Sequence, residues 1–430
     1  MNGHGHRTTG DALLRLEDAL ARMLAGVEAL PAEGVSLDDA LGRVLAEDVH
    51  ARHTLPPWDD SAMDGYAVRS ADVASARGDA PVVLRVAGEV AAGHTAASSV
   101  GDGTALRILT GAPMPPGADA VVRVEDTDAP TGVADLPERV AVRVAVTPGT
   151  AVRSAGSDLH EGDLVLPSGT PIAARHVAAL VAAGRAEVRV HERPRVAVLA
   201  TGDELVPAGT ALEGARIPDS SSAGIGAQVR EAGGVPVALG IAPDDRDVIR
   251  ERLVAGIATA DVVVVCGGVS VGAHDEVRPA LDEVGRVDLW RVAVQPGKPL
   301  TFGRAGTSDG RSVLLFGLPG NPVSSFVTFE LFVRPVLRQL AGHTDLIGRS
   351  RVIARLVDSA STSPGRRAFL RVVIGTSADG TPVVRLAGSQ GSHVLSGLAA
   401  SNGLAVVPEG VGRVEAGAEV DVIRLDETLT

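Results

Sequence analysis

Between Asp11 and Val27 the apolar residues Leu13, Leu16, Leu20, Met23, Leu24 and Val27 return at intervals of three and four, the repeat of one helical face. Such a stripe needs a partner surface. A second helix is predicted from Val35 to Val49, with Leu37, Ala40, Leu41, Val44 and Leu45 as its apolar side and Ser36 as N-cap, and Pro56 and Pro57 end the segment. From Arg69 to about Thr150 the texture changes to short β-type runs (Val82 to Val86, Ala105 to Leu109, Ala120 to Val124, Val140 to Val146) separated by Gly, Pro and Asp, which reads as a small all-β insert. Ala151 to Val190 adds strand-like pieces and an Ala-rich helix over Ala173 to Ala183, expected to pack with the N-terminal helices and complete a discontinuous first domain.

At Arg195 the period changes again. Strands are predicted at Val196 to Ala200, Val235 to Ile241, Val262 to Cys266 and Val313 to Phe316. They alternate with helices at Ala223 to Ala232, Asp247 to Ala258, His274 to Val284 and about Val323 to Leu340. That alternation argues for a parallel sheet covered on both faces. Beyond Leu340 short strands return (Val352 to Leu356, Phe369 to Val373, Val383 to Leu386, Gly403 to Val407, Glu419 to Ile423). The expected fold class is a multidomain α/β and β protein: a central parallel-sheet α/β domain, flanking β domains and a discontinuous helical/β domain. The boundaries are read as 1–57 with 151–190, 58–150, 191–342 and 343–430.

Composition narrows the function. Aromatic residues make up 2% of the 430 residues and the net charge is −13, so stacked-base recognition and nonspecific nucleic-acid binding are not expected. The single cysteine, Cys266, permits no internal disulfide and no thiolate metal cluster, which fits a reducing, cytoplasmic setting. The N-terminus has no secretory pattern, and the apolar runs are far shorter than the roughly 18 to 20 residues of a membrane helix.

In an open parallel sheet, ligands bind beyond the carboxyl ends of the strands. Three turns follow such ends here: Thr201-Gly202-Asp203-Glu204, Gly267-Gly268-Val269-Ser270-Val271-Gly272 before Asp275, and Gly317-Leu318-Pro319-Gly320-Asn321-Pro322-Val323-Ser324-Ser325. Glycines let backbone approach a ligand and helix starts offer free N–H groups, so these turns suit a phosphate or another oxyanion, with Ser324 and Ser325 as added hydroxyl donors. One such turn alone would serve equally well as chain reversal. Standard nucleotide fingerprints are absent, because Gly224 to Val229 lacks the last glycine of a dinucleotide loop and Gly297-Lys298-Pro299 lacks the rest of a P-loop. Glu204, Asp244 and Asp275 follow successive strands and are hard oxygen ligands of the kind that share Mg²⁺ with a phosphate; Asp275 serves equally as a helix cap.

The ordered set Ser61-Ala62-Met63-Asp64-Gly65-Tyr66-Ala67, Thr201-Gly202-Asp203-Glu204-Leu205, Gly267 to Gly272, Pro296-Gly297-Lys298-Pro299, Gly317 to Ser324 and Ala400-Ser401-Asn402-Gly403-Leu404 resembles the molybdopterin molybdenumtransferases, the MoeA family, and the gephyrin E domain. The resemblance covers essentially the whole chain and makes the central domain molybdopterin-binding-like. It implies that adenylylated molybdopterin and the substrate molybdate yield molybdenum cofactor with release of AMP, in a Mg²⁺-dependent reaction. It assigns functional positions to Asp64, Thr110, Asp158, Glu204, Asp244 and Asp275, and to Pro319 and Pro322 in the last turn. Substrate contacts are expected at Gly267, Gly268, Ser270, Gly272, Gly317, Pro319, Gly320, Asn321, Pro322 and Ser324. Where many relatives carry two lysines ahead of Lys298, this chain has Arg291 and Gln295, so the expected anion-compensating charges are Arg291 and Lys298. A homodimer is expected because the discontinuous first domain is too extended to close its own core, so that a second copy should cover part of its apolar stripe. The resemblance implies that Asp64 reaches the cleft of that copy, with the upstream adenylyltransferase and molybdoenzymes as further partners. Two other readings stand beside it: the sister adenylyltransferase, which usually lacks the flanking β domains, and a gephyrin-like scaffold, which would bring long linkers or a fused domain.

Overall fold

The computed structural model describes residues 13–131, 135–267 and 276–426. Two compact units emerge, one of residues 1–47, 168–173 and 189–430, the other of residues 48–167 and 174–188.

The larger unit is built on a six-stranded sheet in the order Val235–Ala242, Arg195–Thr201, Val262–Cys266, Ser312–Leu318, Pro299–Gly306, Arg286–Arg291. The first four strands are parallel, in agreement with the predicted alternation. The last two are antiparallel, so the sheet is mixed. Arg286–Arg291 and Pro299–Gly306 escape a hydrophobicity reading because Arg, Asp, Pro and Gly interrupt them. Alternation places Val196, Val198, Val262, Val264, Leu314 and Phe316 on one face, against the helix Ser221–Glu231 and the segment after Pro322. Ala197, Leu199, Val263, Val265, Val313 and Leu315 cover the other, against the helices Arg246–Thr259 and Val277–Val284. The helix Arg246–Thr259 starts at Asp245, whose carboxylate accepts the N–H groups of Asp247 and Val248.

The predicted helix from Val323 to Leu340 is interrupted: α-helical over Pro322–Thr328, π-helical over Phe329–Val333 and α-helical again over Arg334–Leu340. Pro335 lacks an N–H for the ladder and crowds the carbonyl four residues back, which accounts for the slip. The predicted helix from Val35 to Val49 does not form. Its residues make a strand at Ala32–Ser36 and then isolated pairings of Val44 with Pro171 and Leu45 with Val190. Ser36 does take the Asp39 N–H at 3.4 Å, but Gly42 sits at φ +75° and ends any helical run.

The N-terminal helix, Leu16–Leu24, buries Ala19, Met23 and the following Val27 in the same core as the mixed sheet, so this stripe finds its partner within the chain. A second six-stranded sheet, in which Arg351–Leu356, Arg367–Thr376, Pro382–Leu386, Gly403–Val407 and Glu419–Arg424 are joined by the short Val294–Gln295, forms the C-terminal β region; Phe369, Leu404 and Ile423 join the first core.

The smaller unit holds a five-stranded sheet ordered Ala120–Arg123, Gly65–Val68, Thr104–Ile108, Val82–Val90, Arg139–Val142. It also contains the Ala-rich helix, Ala174–Ala182. Among the described residues no helix is long and apolar enough to cross a membrane.

Candidate functional site

Three of the parallel strands deliver their glycine turns to one edge of the mixed sheet. Gly267 lies at φ +112°, and a Cβ there would stand 2.7 Å from the Thr201 carbonyl oxygen and 2.9 Å from its Oγ1. A Cβ on Gly320 would touch the Gly267 Cα at 3.5 Å. Thr201, Gly267 and Gly320 are therefore neighbours, and the close approach of the first two requires glycine at 267. The Gly267 N–H donates to Leu318 O at 3.2 Å, which ties the middle turn to the last strand. Gly268, Ser270, Gly272 and Asp275 lie outside the described residues.

In the first turn Gly202 takes φ +149°, and any side chain there would strike the Glu204 carboxylate, which folds back over the strand end. Asp203 Oδ1 accepts the Asp244 N–H at 3.2 Å, so Glu204 and Asp244 are held at adjacent strand ends. Both side chains are exposed. Among the described residues no group of three or more His, Cys, Asp or Glu is gathered to hold a metal ion. Glu204 and Asp244 are nonetheless hard carboxylate oxygen donors, a chemistry that suits Mg²⁺.

The last turn is fixed from within. Ser325 Oγ donates to the carbonyls of Pro319 and Asn321, and Thr328 Oγ1 donates to Ser324 O at 2.7 Å. The Ser325 hydroxyl, expected as a ligand donor, is thus spent on shaping the turn. Gly317 is buried inside the strand Ser312–Leu318, while Pro319, Gly320 and Asn321 form the turn, Pro322 opens the helix and Ser324 is buried in its first turn. A side chain at Gly297 would collide with Thr328, so the Pro296–Lys298 turn packs on this helix, with Lys298 exposed. Arg291 ends its strand, its carbonyl accepting the Leu14 N–H at 2.8 Å. Gln295 is differently employed: its Oε1 accepts the Ser363 N–H at 2.9 Å, which commits the side chain to the C-terminal β region.

Cys266 is buried, and desolvation together with the Asp219 carboxylate pushes its thiol well above the ordinary range, so it is an inert end of an apolar strand. Asp219 itself went unnoticed in the sequence. It enters through a two-residue parallel pairing of Leu205–Val206 with Ile217–Pro218 and accepts the Ser222 N–H at 3.0 Å, while Ser221 Oγ donates to Gly320 O at 3.5 Å. A second unforeseen contributor is the loop Ser389–Ser392. Its Ser392 carbonyl accepts the Val323 N–H at 3.2 Å, and the buried Arg371 fastens it by donating to Ser389 O at 2.6 Å and Gly391 O at 3.1 Å. Polar glycine-bearing residues ahead of the helix Leu395–Ala400 were the available signal.

Asp64 and Thr110 belong to the smaller unit and are brought together there. Asp64 Oδ1 accepts the Thr110 N–H at 2.7 Å and its hydroxyl at 2.8 Å. These two bonds, the backbone one first, hold the Asp64 carboxyl below its usual range. Asp158 is exposed in a turn of the same unit, its N–H donating to Leu55 O at 3.0 Å. An open cleft of about 500 Å³ lined by Leu13, Arg15, Ala293, Gly365 and Glu409 contains none of the strand-end residues.

The domain comparisons place this chain among the proteins of molybdopterin biosynthesis. The profile of the MoeA N-terminal region (domain I and II) matches residues 14–184, that of a probable molybdopterin binding domain residues 197–339, and that of the MoeA C-terminal region (domain IV) residues 354–425. Molybdopterin molybdenumtransferase 2 of Mycobacterium tuberculosis (strain H37Rv) is 40% identical over 396 residues, 90% of this chain and 94% of the relative. A molybdopterin molybdenumtransferase of Nostoc sp. PCC 7120 is 36% identical, over 91% and 88% respectively. The crystal structure of the molybdopterin biosynthesis MoeA protein of Pyrococcus horikoshii OT3 superposes with a TM-score of 0.78 at 30% identity, covering 96% of this chain and all of that one (100%). The chain belongs to the MoeA family of molybdopterin molybdenumtransferases.

Proposed function

We propose that this protein inserts molybdenum from molybdate into adenylylated molybdopterin, releasing AMP and forming molybdenum cofactor. The observation that carries the reading is the meeting of Thr201, Gly267 and Gly320 at one strand edge, flanked by Glu204 and Asp244, in a chain of this family. Glu204 and Asp244, with Asp275, are the residues that would hold Mg²⁺, which when bound shields phosphoanhydride charge. Lys298 and Arg291 add positive charge near the scissile anhydride, and glycine-turn N–H groups orient its oxygens. No side-chain nucleophile is required. Asp64, Thr110 and Asp158 belong to the same reading as functional residues of the smaller unit. Their role there rests on the family resemblance and, for the first two, on their mutual hydrogen bonds.

A homodimer is part of the proposal, supported by exposed apolar side chains of the smaller unit such as Leu164 and Val181. A cytoplasmic location is supported by the single unpaired cysteine. The deciding experiment incubates purified protein with adenylylated molybdopterin and follows AMP. Release is expected only when Mg²⁺ and molybdate are both present; equal release without molybdate would overturn the reading.

A further inference from the structure

Thr201 closes the first strand of the mixed sheet and is 5% exposed. Its Oγ1 is buried, yet among the described residues it has no hydrogen-bond partner. A hydroxyl in that condition destabilises the free protein, and valine would fill the same space in the strand at no such cost. The orphan is placed at the edge where three turns meet. Gly267 presents no side chain to cover it, and any side chain there would land on it. At the same edge, the N–H groups of the exposed Gly320 and Asn321 donate to no protein atom among the described residues. The buried hydroxyl is thus a donor without an acceptor at an edge where two further N–H groups are also unspent among the described residues.

We infer that the Thr201 hydroxyl donates a hydrogen bond to an oxygen of a tetrahedral oxyanion bound at this edge, and so is a substrate-binding residue. The inference rests on the proposed reaction, whose reactants carry two such oxyanions, the phosphoryl groups of the adenylylated substrate and molybdate. The Asp219 carboxylate flanks the same edge, so binding is measured with Mg²⁺ present.

The test compares the full chain with Thr201→Val, which keeps shape and removes the hydroxyl, and Thr201→Ser, which keeps the hydroxyl. Each is titrated separately with AMP, inorganic phosphate and molybdate by calorimetry, melted without ligand, and assayed for AMP release. Loss of one hydrogen bond to a charged acceptor predicts roughly tenfold weaker binding by Thr201→Val of the probe whose oxygen Thr201 holds. A loss confined to AMP and phosphate assigns the phosphoryl group; a loss confined to molybdate assigns the metal oxyanion. The ligand-free Tm of Thr201→Val should equal or exceed that of the parent, and Thr201→Ser should bind within a few-fold of it. Parental affinity of Thr201→Val for all three probes would overturn the inference. A lowered ligand-free Tm with binding not restored by serine would do so as well, since the hydroxyl would then be structural. If the parent chain itself neither binds a probe nor releases AMP, the proposed reaction fails and the inference with it.

Discussion

Glu330 and Arg349 form a buried ion pair, each side chain 4% exposed, with Arg349 Nε and Nη2 each donating to a Glu330 oxygen at 3.2 Å. Gln228 Nε2 adds a third bond at 3.0 Å. Glu330 also faces the fully buried Arg334 at 3.8 Å, so Glu330→Leu strands two buried cations and should cost about 3 kcal/mol or more in urea unfolding, whereas Arg349→Met, which leaves Arg334 beside Glu330, should cost less. Nearby, burial and then the charges of Arg338 and Arg334 push His343 down to about 4. An unfolded histidine titrates near 6.5, so between these values the unfolded chain binds more protons than the folded one. Stability from this residue is therefore complete above about pH 6.5 and is lost as pH falls toward about 4. The loss is at most about 2–3 kcal/mol, reduced because the ring is partly exposed. Urea midpoints at pH 7.5 and 5 should diverge in the parent and converge in His343→Asn.

Elements carry the next set of constraints. In the strand Gly65–Val68 a Cβ on Gly65 would fall on the Val122 carbonyl of the neighbouring strand, so the glycine after Asp64 exists for sheet closure. Gly65→Ala should cost about 3 kcal/mol or more, and calorimetry should show a lowered melting temperature. The loop Ser389–Ser392 depends on one side chain: Arg371→Leu removes both guanidinium bonds to it. Faster amide exchange over residues 388–394 and reduced AMP release are the expected results, and unchanged exchange would show that Gln390, which accepts the Arg371 N–H, suffices to hold the loop. These cases show what was legible beforehand. The four parallel strands announced themselves because both faces are buried, and the glycine turns because each directly follows such a strand. Val35 to Val49 misled because turns that anchor Val44 and Leu45 reproduce helical spacing over a short stretch. Arg371 and Ser392 were silent because their meaning lies in a contact with Val323, far away in sequence. Gln295, which invited comparison with lysine, proves to answer to Ser363 instead.

At the scale of the molecule, the apolar stripe of the N-terminal helix gives no argument for pairing of copies, since Ala19, Met23 and Val27 are covered by the chain's own core. The dimer is better tested directly. If one copy lends Asp64 to the strand edge of another, an Asp64→Ala chain exchanged with an Asp244→Ala chain should recover about a quarter of parental activity, because half of the dimers would be mixed and one of their two sites intact. Exchange without recovery would show that each copy completes its own site. The same N-terminal segment has a consequence for synthesis. The Ala25 carbonyl accepts Arg304 Nη2 at 2.6 Å, the Val27 carbonyl accepts Gln339 Nε2 at 2.6 Å, and the Leu30 N–H donates to Leu340 O at 2.8 Å. On a ribosome adding roughly 5–20 residues per second, the first helix emerges and then waits about a quarter of a minute to a minute for these partners. The smaller unit is complete in sequence by Val188 and can fold during that interval. Nascent chains stalled far enough beyond Val188 for that residue to have left the ribosome should therefore carry a protease-resistant middle and a cleavable beginning, and it is the beginning, with its unmatched Leu20 and Met23, that a chaperone would meet.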